Sequence, residues 1–290
     1  MIENLGQYKI LEPVGPGAFG DVYRARDTRV GRTVAITLVS SRIVSTPERR
    51  ERFLADAHAA AAVSHPNIVT LYEVGEDAGR PYLVYEYVQG ETLKNVIGGR
   101  PLNPRRGLDL ASQIAEALAD AHAADLVHGA ITAETIVITP KGHAKITAFG
   151  LAGWTETGAG GAGGAGRAGG EAGYRADLSS LGGILFEMLT GRAPAPGAGV
   201  PSAVNRSLPR EIDPIVGKAL GKSGGYESAV TLAAELRSVI AILDVRKEES
   251  DAVAPAIGRA PPKRTETAWI VLALIVGVIA ATAWWFLRSA

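Results

Sequence analysis

The chain has 290 residues, enough for one large domain or two small ones with an ample core. Hydrophobic residues make up 47% of it, which excludes a disordered, solvating chain. The 30 basic residues balance 30 acidic ones, so the charge footprint of a nucleic-acid binder is missing, and with no cysteines there are no disulfides, thiolate metal sites or thiol nucleophile.

The N-terminus, MIENLGQYKI, carries Glu3 and no apolar run, so it does not read as a signal peptide. Residues 8–39 alternate as strands (YKILEPVG, DVYRARD, RTVAITLV), punctuated by Gly15, Gly17, Gly20 and Gly31. Residues 47–64 predict a helix that opens on Pro47 and turns Phe53, Ala57, Ala60 and Ala61 to one face. Strands near 68–75 and 81–87 follow, joined by a turn at Asp77–Arg80. From about residue 91 the period becomes helical, with Leu110, Ile114, Leu118 and Ala121 on one amphipathic face. A short strand pair spans roughly 136–147 and turns at Pro140-Lys141-Gly142.

Residues 157–173, TGAGGAGGAGRAGGEAG, predict a flexible loop, because glycine is costly to order and alanine buries little surface. Helices resume at about 177–190, 211–220 and 227–243, and residues 244–267 form a polar, proline-bearing linker. Residues 268–287, AWIVLALIVGVIAATAWWFL, carry no charge. At ~1.5 Å per residue they reach roughly 30 Å, the thickness of a bilayer core. A transmembrane helix is expected, with Trp284 and Trp285 at one interface. Arg259, Lys263 and Arg264 precede it and Arg288 follows it, which places the N-terminal body in the cytoplasm on a single-pass C-terminal anchor. A β-rich first part followed by an α-rich second part predicts an α+β chain with two lobes.

Several motifs fall in a telling order. GPGAFGDV spans Gly15 to Val22 between two strands, so a dinucleotide fold, which needs a helix next, is disfavoured. Then come VAIT at 34–37, SHPNIV at 64–69, YLVYEYVQGETL at 82–93, VHGAITAETIVI at 127–138, KITAFGLA at 145–152 and ADLSSLGGILFEMLTGRAP at 176–194. In this order and spacing the chain resembles a eukaryotic-like bacterial serine/threonine protein kinase of the membrane-tethered type. The resemblance covers residues 8–243, with an N-lobe to about 88 and a C-lobe from about 89, and implies a bilobal protein-kinase-like fold.

The departures from the family pattern fall on its chemistry. The lysine of V-A-I-K, which meets ATP phosphates and a helix glutamate, is Thr37, and the glutamate position is Asp56. In the catalytic loop the base aspartate is Ala130, the phosphate-facing lysine Thr132 and the metal asparagine Thr135, while the magnesium aspartate of D-F-G is Ala148. Substitute cations would have to be Arg24, Lys141 or Lys145, and Glu134 is the nearest acid in the loop. The A-P-E motif is missing, its arginine partner position is Gly225, and the stretch from Pro194 to Leu208 is too short for the family's substrate-docking helix.

What is left is framework. His128, Phe149, Leu71, Ala60 and Asp177 fall where the family stacks side chains across its lobes, and Tyr85 is at the gatekeeper position. A residual nucleotide pocket would comprise Gly15, Gly17, Gly20, Val22, Ala35, Glu86 and Val88, although core packing alone explains most of these residues. The resemblance therefore implies a pseudokinase with no catalytic residue, no metal and no required cofactor, ATP binding only without magnesium. Its partner would be a protein, an active kinase or an envelope component, with the membrane as its second attachment and no nucleic acid. The alternatives are a divergent serine/threonine kinase that binds ATP and a magnesium-independent nucleotide-sensing module.

Overall fold

A computed structural model describes residues 3–151, 153–154, 170–197, 199–221 and 224–253. Most of the glycine-alanine tract, most of the linker and the whole apolar segment at 268–287 lie outside these residues. Among the described residues no helix is long and apolar enough to cross a membrane. The chain divides into Met1–Leu243 and Asp244–Ala290; of the second unit, residues 244–253 are described, as helix.

The first unit opens with a six-stranded antiparallel sheet in the order β1-β2-β3-β4-β6-β5. The strands are β1 (Asn4–Leu5), β2 (Tyr8–Gly17), β3 (Gly20–Asp27), β4 (Thr33–Val39), β5 (Leu71–Asp77) and β6 (Arg80–Glu86). Alternating β-branched and aromatic residues fit a half-buried pleat, and β4, covered on both faces, is almost continuously buried. The β2–β3 pairing slips between Ile10 and Glu12 and again between Pro13 and Gly15, which lets two prolines sit in a strand.

Helix α1 (Pro47–Ala61) leaves the sheet between β4 and β5. Thr46 caps it, its hydroxyl accepting from Arg49 N at 3.3 Å, with Pro47 and Glu48 in the first turn. Its buried face carries Phe53, Asp56, Ala57 and Ala60 against Leu71, Leu83 and Trp154. Burying a side chain the size of Phe53 contributes roughly 1.5–3 kcal/mol, so this face holds the helix more firmly than its polar sequence would alone.

The second lobe is helical. A small sheet of β7 (Glu91–Thr92), β8 (Ile136–Ile138) and β9 (Ala144–Ile146) faces the first lobe. Beneath it pack α2 (Leu93–Ile97), α3 (Pro104–Ala123), α4 (Glu171–Thr190), α5 (Pro201–Val204), α6 (Ile212–Ala219) and the residues up to Leu243 of α7 (Ala229–Val253). α4 runs through the centre, buried at Leu178, Leu181, Leu185, Phe186 and Met188. Among the described residues between Pro194 and Leu208 only the single turn of α5 forms, as the short Gly/Pro-rich stretch requires. The fold is bilobal, a β-sheet lobe on a helical lobe.

Candidate functional site

A cavity of about 270 Å³ opens between the lobes. Val14, Gly17, Ala18 and Val22 of the β2–β3 hairpin roof it, and Ala35 and Thr37 of β4 form its upper wall. Tyr85, Glu86, Tyr87 and Val88 close one side, while Val137, Thr147 and Ala148 make the floor. Of the seven residues expected around a nucleotide, Gly17, Val22, Ala35, Glu86 and Val88 line this space; Gly15 and Gly20 do not. Gly20 has a different task. A Cβ there would lie 2.1 Å from Leu38 O, on a φ of +146°, so this glycine lets β3 lie close to the end of β4.

The electrostatics of the cavity are nearly neutral. Glu86 is the single acidic or basic side chain on its wall, and Lys145 Nζ holds that carboxylate at 2.7 Å. The same oxygen, Oε2, accepts from Thr70 N at 3.4 Å. Lys145 is thereby committed to the strand rather than to the cavity. Arg24 Nε pairs with Glu12 at 2.8 Å and its guanidinium faces the Tyr87 ring at 5.8 Å. Lys141 belongs to the turn between β8 and β9. None of the three candidate cations lines the cavity.

Thr37 is buried on β4, and Asp56 lies on the buried face of α1. The Asp56 carboxylate accepts instead from Trp154 Nε1 at 2.9 Å, a partner that sequence reasoning missed. The positions are 98 residues apart, so no local pattern joins them. A bulky aromatic just ahead of the glycine-alanine tract was the one available signal.

In the loop after α3 the hydroxyls satisfy one another. Thr135 Oγ1 donates to Thr132 O at 3.0 Å and accepts from Thr132 N at 3.0 Å. Thr132 Oγ1 accepts from Glu134 N at 3.3 Å, so a compact turn consumes the polar atoms where ligands would be sought. Ala130 contributes no side-chain polar atom; its amide donates to His128 Nδ1 at 3.3 Å. His128 Nε2 must then carry the proton and donates to Thr147 O at 3.0 Å. Burial pushes the His128 pKa below its usual value, against a smaller opposing pull from Asp177, so the ring is a neutral structural group. It meets Phe149 edge-on at 5.2 Å, and its backbone N–H donates to Asp177 Oδ2 at 2.8 Å. Leu71 and Ala60 pack together in the first lobe, and Gly225 sits in a turn with φ +79°.

Magnesium requires hard oxygen donors, usually carboxylates together with substrate phosphates. Ala148 has none to give, the Thr135 hydroxyl is spent inside its turn and Glu86 is neutralised. No group of three or more His, Cys, Asp or Glu able to hold a metal occurs among the described residues. The residues present do not fit a magnesium–triphosphate. The backbone at Ala148 nonetheless keeps φ +58°, a left-handed conformation that Asp and Asn adopt more readily than Ala.

The Tyr85 hydroxyl is buried and makes no hydrogen bond, and burial pushes its pKa well above the ordinary phenol value. An unmet buried hydroxyl costs about 1–3 kcal/mol. Tyr85→Phe is therefore expected to stabilise the protein by about 1 kcal/mol, read as a rise in the urea midpoint at unchanged slope.

Residues 8–162 match the protein kinase domain family, and over 263 residues the chain is 35% identical to serine/threonine-protein kinase PrkC of Bacillus subtilis. The chain belongs to the bacterial serine/threonine protein kinase family. The PrkC match covers 80% of this chain and 40% of the relative. A probable serine/threonine-protein kinase of Streptomyces coelicolor, SCO3848, is 34% identical over 76% of this chain and 38% of its own length. Serine/threonine-protein kinase PknA of Mycobacterium tuberculosis is 37% identical over 67% of this chain and 49% of the relative. The chain thus spans between about two fifths and one half of these relatives. The crystal structure of the Mycobacterium tuberculosis PknI kinase domain superposes with a TM-score of 0.68 at 21% identity, over 82% of this chain and 99% of that one. That likeness shows the protein-kinase fold. Glu86, Tyr87 and Val88 line the cavity between the lobes, and Trp154 follows Ala148-Phe149-Gly150, in the stretch that the kinase family calls its activation segment.

Proposed function

We propose that this kinase-family chain is a pseudokinase, a kinase-shaped body that works by binding another protein, held to a membrane by residues 268–287. One observation carries the reading: Thr37, Ala130, Thr132, Thr135 and Ala148 stand at five positions where the family chemistry uses a charged or metal-binding group. Loss of a general base alone forfeits about 10²–10⁴-fold in rate, and phosphoryl transfer leans still more on the metal and lysine charges. The hinge carboxylate, the substitute lysine and the α1 carboxylate are each engaged by another side chain of this chain, which supports a cleft organised around packing. The partner's class is a protein, an active kinase or an envelope component, and the N-terminal body is cytoplasmic on this reading. The charge-free length of 268–287 supports the anchor.

A divergent kinase is the second reading, favoured by the relatives, which are named serine/threonine kinases. Magnesium-independent nucleotide sensing is a third, favoured by Gly17, Val22, Ala35 and Val88 around the cavity. One titration separates them. The full chain is heated with ATP, with and without magnesium, and assayed in parallel for phosphate transfer to itself and to a generic basic substrate. We expect no transfer and no magnesium-dependent shift in melting midpoint. Ligand present at 100 times its Kd would add about 2.7 kcal/mol, so binding would not escape notice. A magnesium-dependent shift with transfer would replace the proposal by the kinase reading. A shift without magnesium would move the proposal to a nucleotide sensor.

A further inference from the structure

In the kinase family the acid on the α1 helix takes its partner from β4, through a lysine that also meets the nucleotide. Here β4 offers Thr37, and the Asp56 carboxylate takes its donor from another segment. Trp154 reaches it from the activation segment, its indole N–H donating at 2.9 Å, with Asp56 4% and Trp154 3% exposed. A charge-assisted bond out of contact with water is among the stronger hydrogen bonds a protein makes. The ring is braced as well: it meets Phe53 of α1 at 5.4 Å and 89°, and the Arg49 guanidinium faces it at 5.4 Å. Arg49 Nε in turn donates to Ile43 O at 3.0 Å, which ties the approach to α1 into the same cluster. A short turn presents the indole, with Leu151 N donating to Ala148 O and Trp154 N to Leu151 O, and Leu151 fully buried beneath.

We propose that Trp154 and Asp56 form a latch that sets the position of α1 from the activation segment instead of from bound nucleotide. Drawing the segment away removes the carboxylate's donor and frees α1. Displacing α1 leaves the indole N–H unmet and frees the segment. The two surfaces are thereby coupled, and a protein docking on either one is communicated to the other without nucleotide. This deepens the pseudokinase reading by naming its regulation.

The test is amide hydrogen exchange on the full chain. Trp154→Phe keeps an aromatic ring against Phe53 but removes the N–H donor together with the five-membered part of the indole, so the hydrogen bond is separated from lost packing by the double variant below. Exchange in α1 (Pro47–Ala61) is expected to rise about tenfold while α3 (Pro104–Ala123) is unchanged. Asp56→Ala reads the same bond from the other side and carries the test should the Phe variant fail to fold. In the double variant the two effects should not add. Wild-type exchange in α1 for either single variant, equal acceleration in α3, or additive effects would each overturn the latch. So would protection of α1 by ATP and magnesium in the wild-type chain. Phosphate transfer by a chain whose variants behave as expected would sink the functional reading and leave the latch standing.

Discussion

Asp177→Ala is expected to be the most damaging single change outside the apolar core. The side chain lies on α4 at 1% exposure and collects three donors. Oδ2 accepts from His128 N at 2.8 Å and is joined by His122 Nε2 at 3.0 Å, while Oδ1 accepts from Gly129 N at 2.9 Å. One carboxylate therefore joins the end of α3, the catalytic loop and the central helix. Its removal leaves the buried His128 amide with no acceptor and His122 with only its stack on Tyr174, 4.4 Å away. Stranded partners of a buried charge point to a loss of roughly 3–5 kcal/mol, or about 10 °C in the melting midpoint of a domain this size. Asp177→Asn supplies the control. Its amide oxygen can serve His128 and His122, and the exposed Gly129 amide can turn to water, so about half the loss is expected. Equal stability of the Ala variant and wild type, by calorimetry, would show that the loop is held by something else.

Gly182→Ala comes next. A Cβ at Gly182 on α4 would stand 2.7 Å from Ala219 C and 2.9 Å from Leu220 N on α6. Backbone atoms cannot swing aside like a side-chain tip, so the helices must part. Overpacking of this kind costs about 1–3 kcal/mol, somewhat offset by alanine's better helix propensity. A net loss of about 2 kcal/mol is expected. The neighbouring Gly183 makes the contrast: a Cβ there meets nothing nearer than Pro194 Cγ at 3.8 Å. Gly183→Ala should gain up to ~1 kcal/mol from propensity alone. Matching denaturation midpoints for the two variants would refute close helix contact as the cause.

The larger elements could be read from the sequence because each carries its own period. Alternation in YKILEPVG and RTVAITLV gave β2 and β4, and Pro47 with the Phe53-Ala57-Ala60 face gave α1 to within three residues at its end. The Leu110-Ile114-Leu118 stripe found the middle of α3, and Pro140-Lys141-Gly142 placed the β8–β9 turn. The pieces that escaped are short: β1, β7, α2 and α5 have two to five residues, too few to show a period. Their support is tertiary, as where Lys94 N at the start of α2 donates to Ala133 O.

Of the positions picked by spacing, Thr37 and Ala148 line the cavity and Ala130 and Thr135 do not, and spacing did not tell that Thr132 and Thr135 bond each other or that Lys145 clasps Glu86. The Lys145–Glu86 pair is decided by packing of distant strands and leaves no mark on local spacing, while Thr132 and Thr135 meet within one turn whose backbone path the residue types alone do not fix. The glycine motif misled in a specific way. Gly15 and Gly20 serve the backbone of the hairpin, Gly20 through its closeness to Leu38 O, while Gly17 alone of the three reaches the cavity.

Trp154 is the only tryptophan among the described residues; the others, Trp269, Trp284 and Trp285, belong to the apolar C-terminal segment. An indole shielded from solvent, edge-on to a phenyl ring and bonded to a carboxylate, has an emission colour and a quenching rate that change when water arrives. With the three C-terminal tryptophans changed to phenylalanine and excitation at the red edge of the indole band, beyond the absorption of the eight tyrosines, the emission comes from one place. The residue that bonds Asp56 of α1 is then also its lamp, and any displacement of the indole from that carboxylate can be followed in the spectrum with no dye attached.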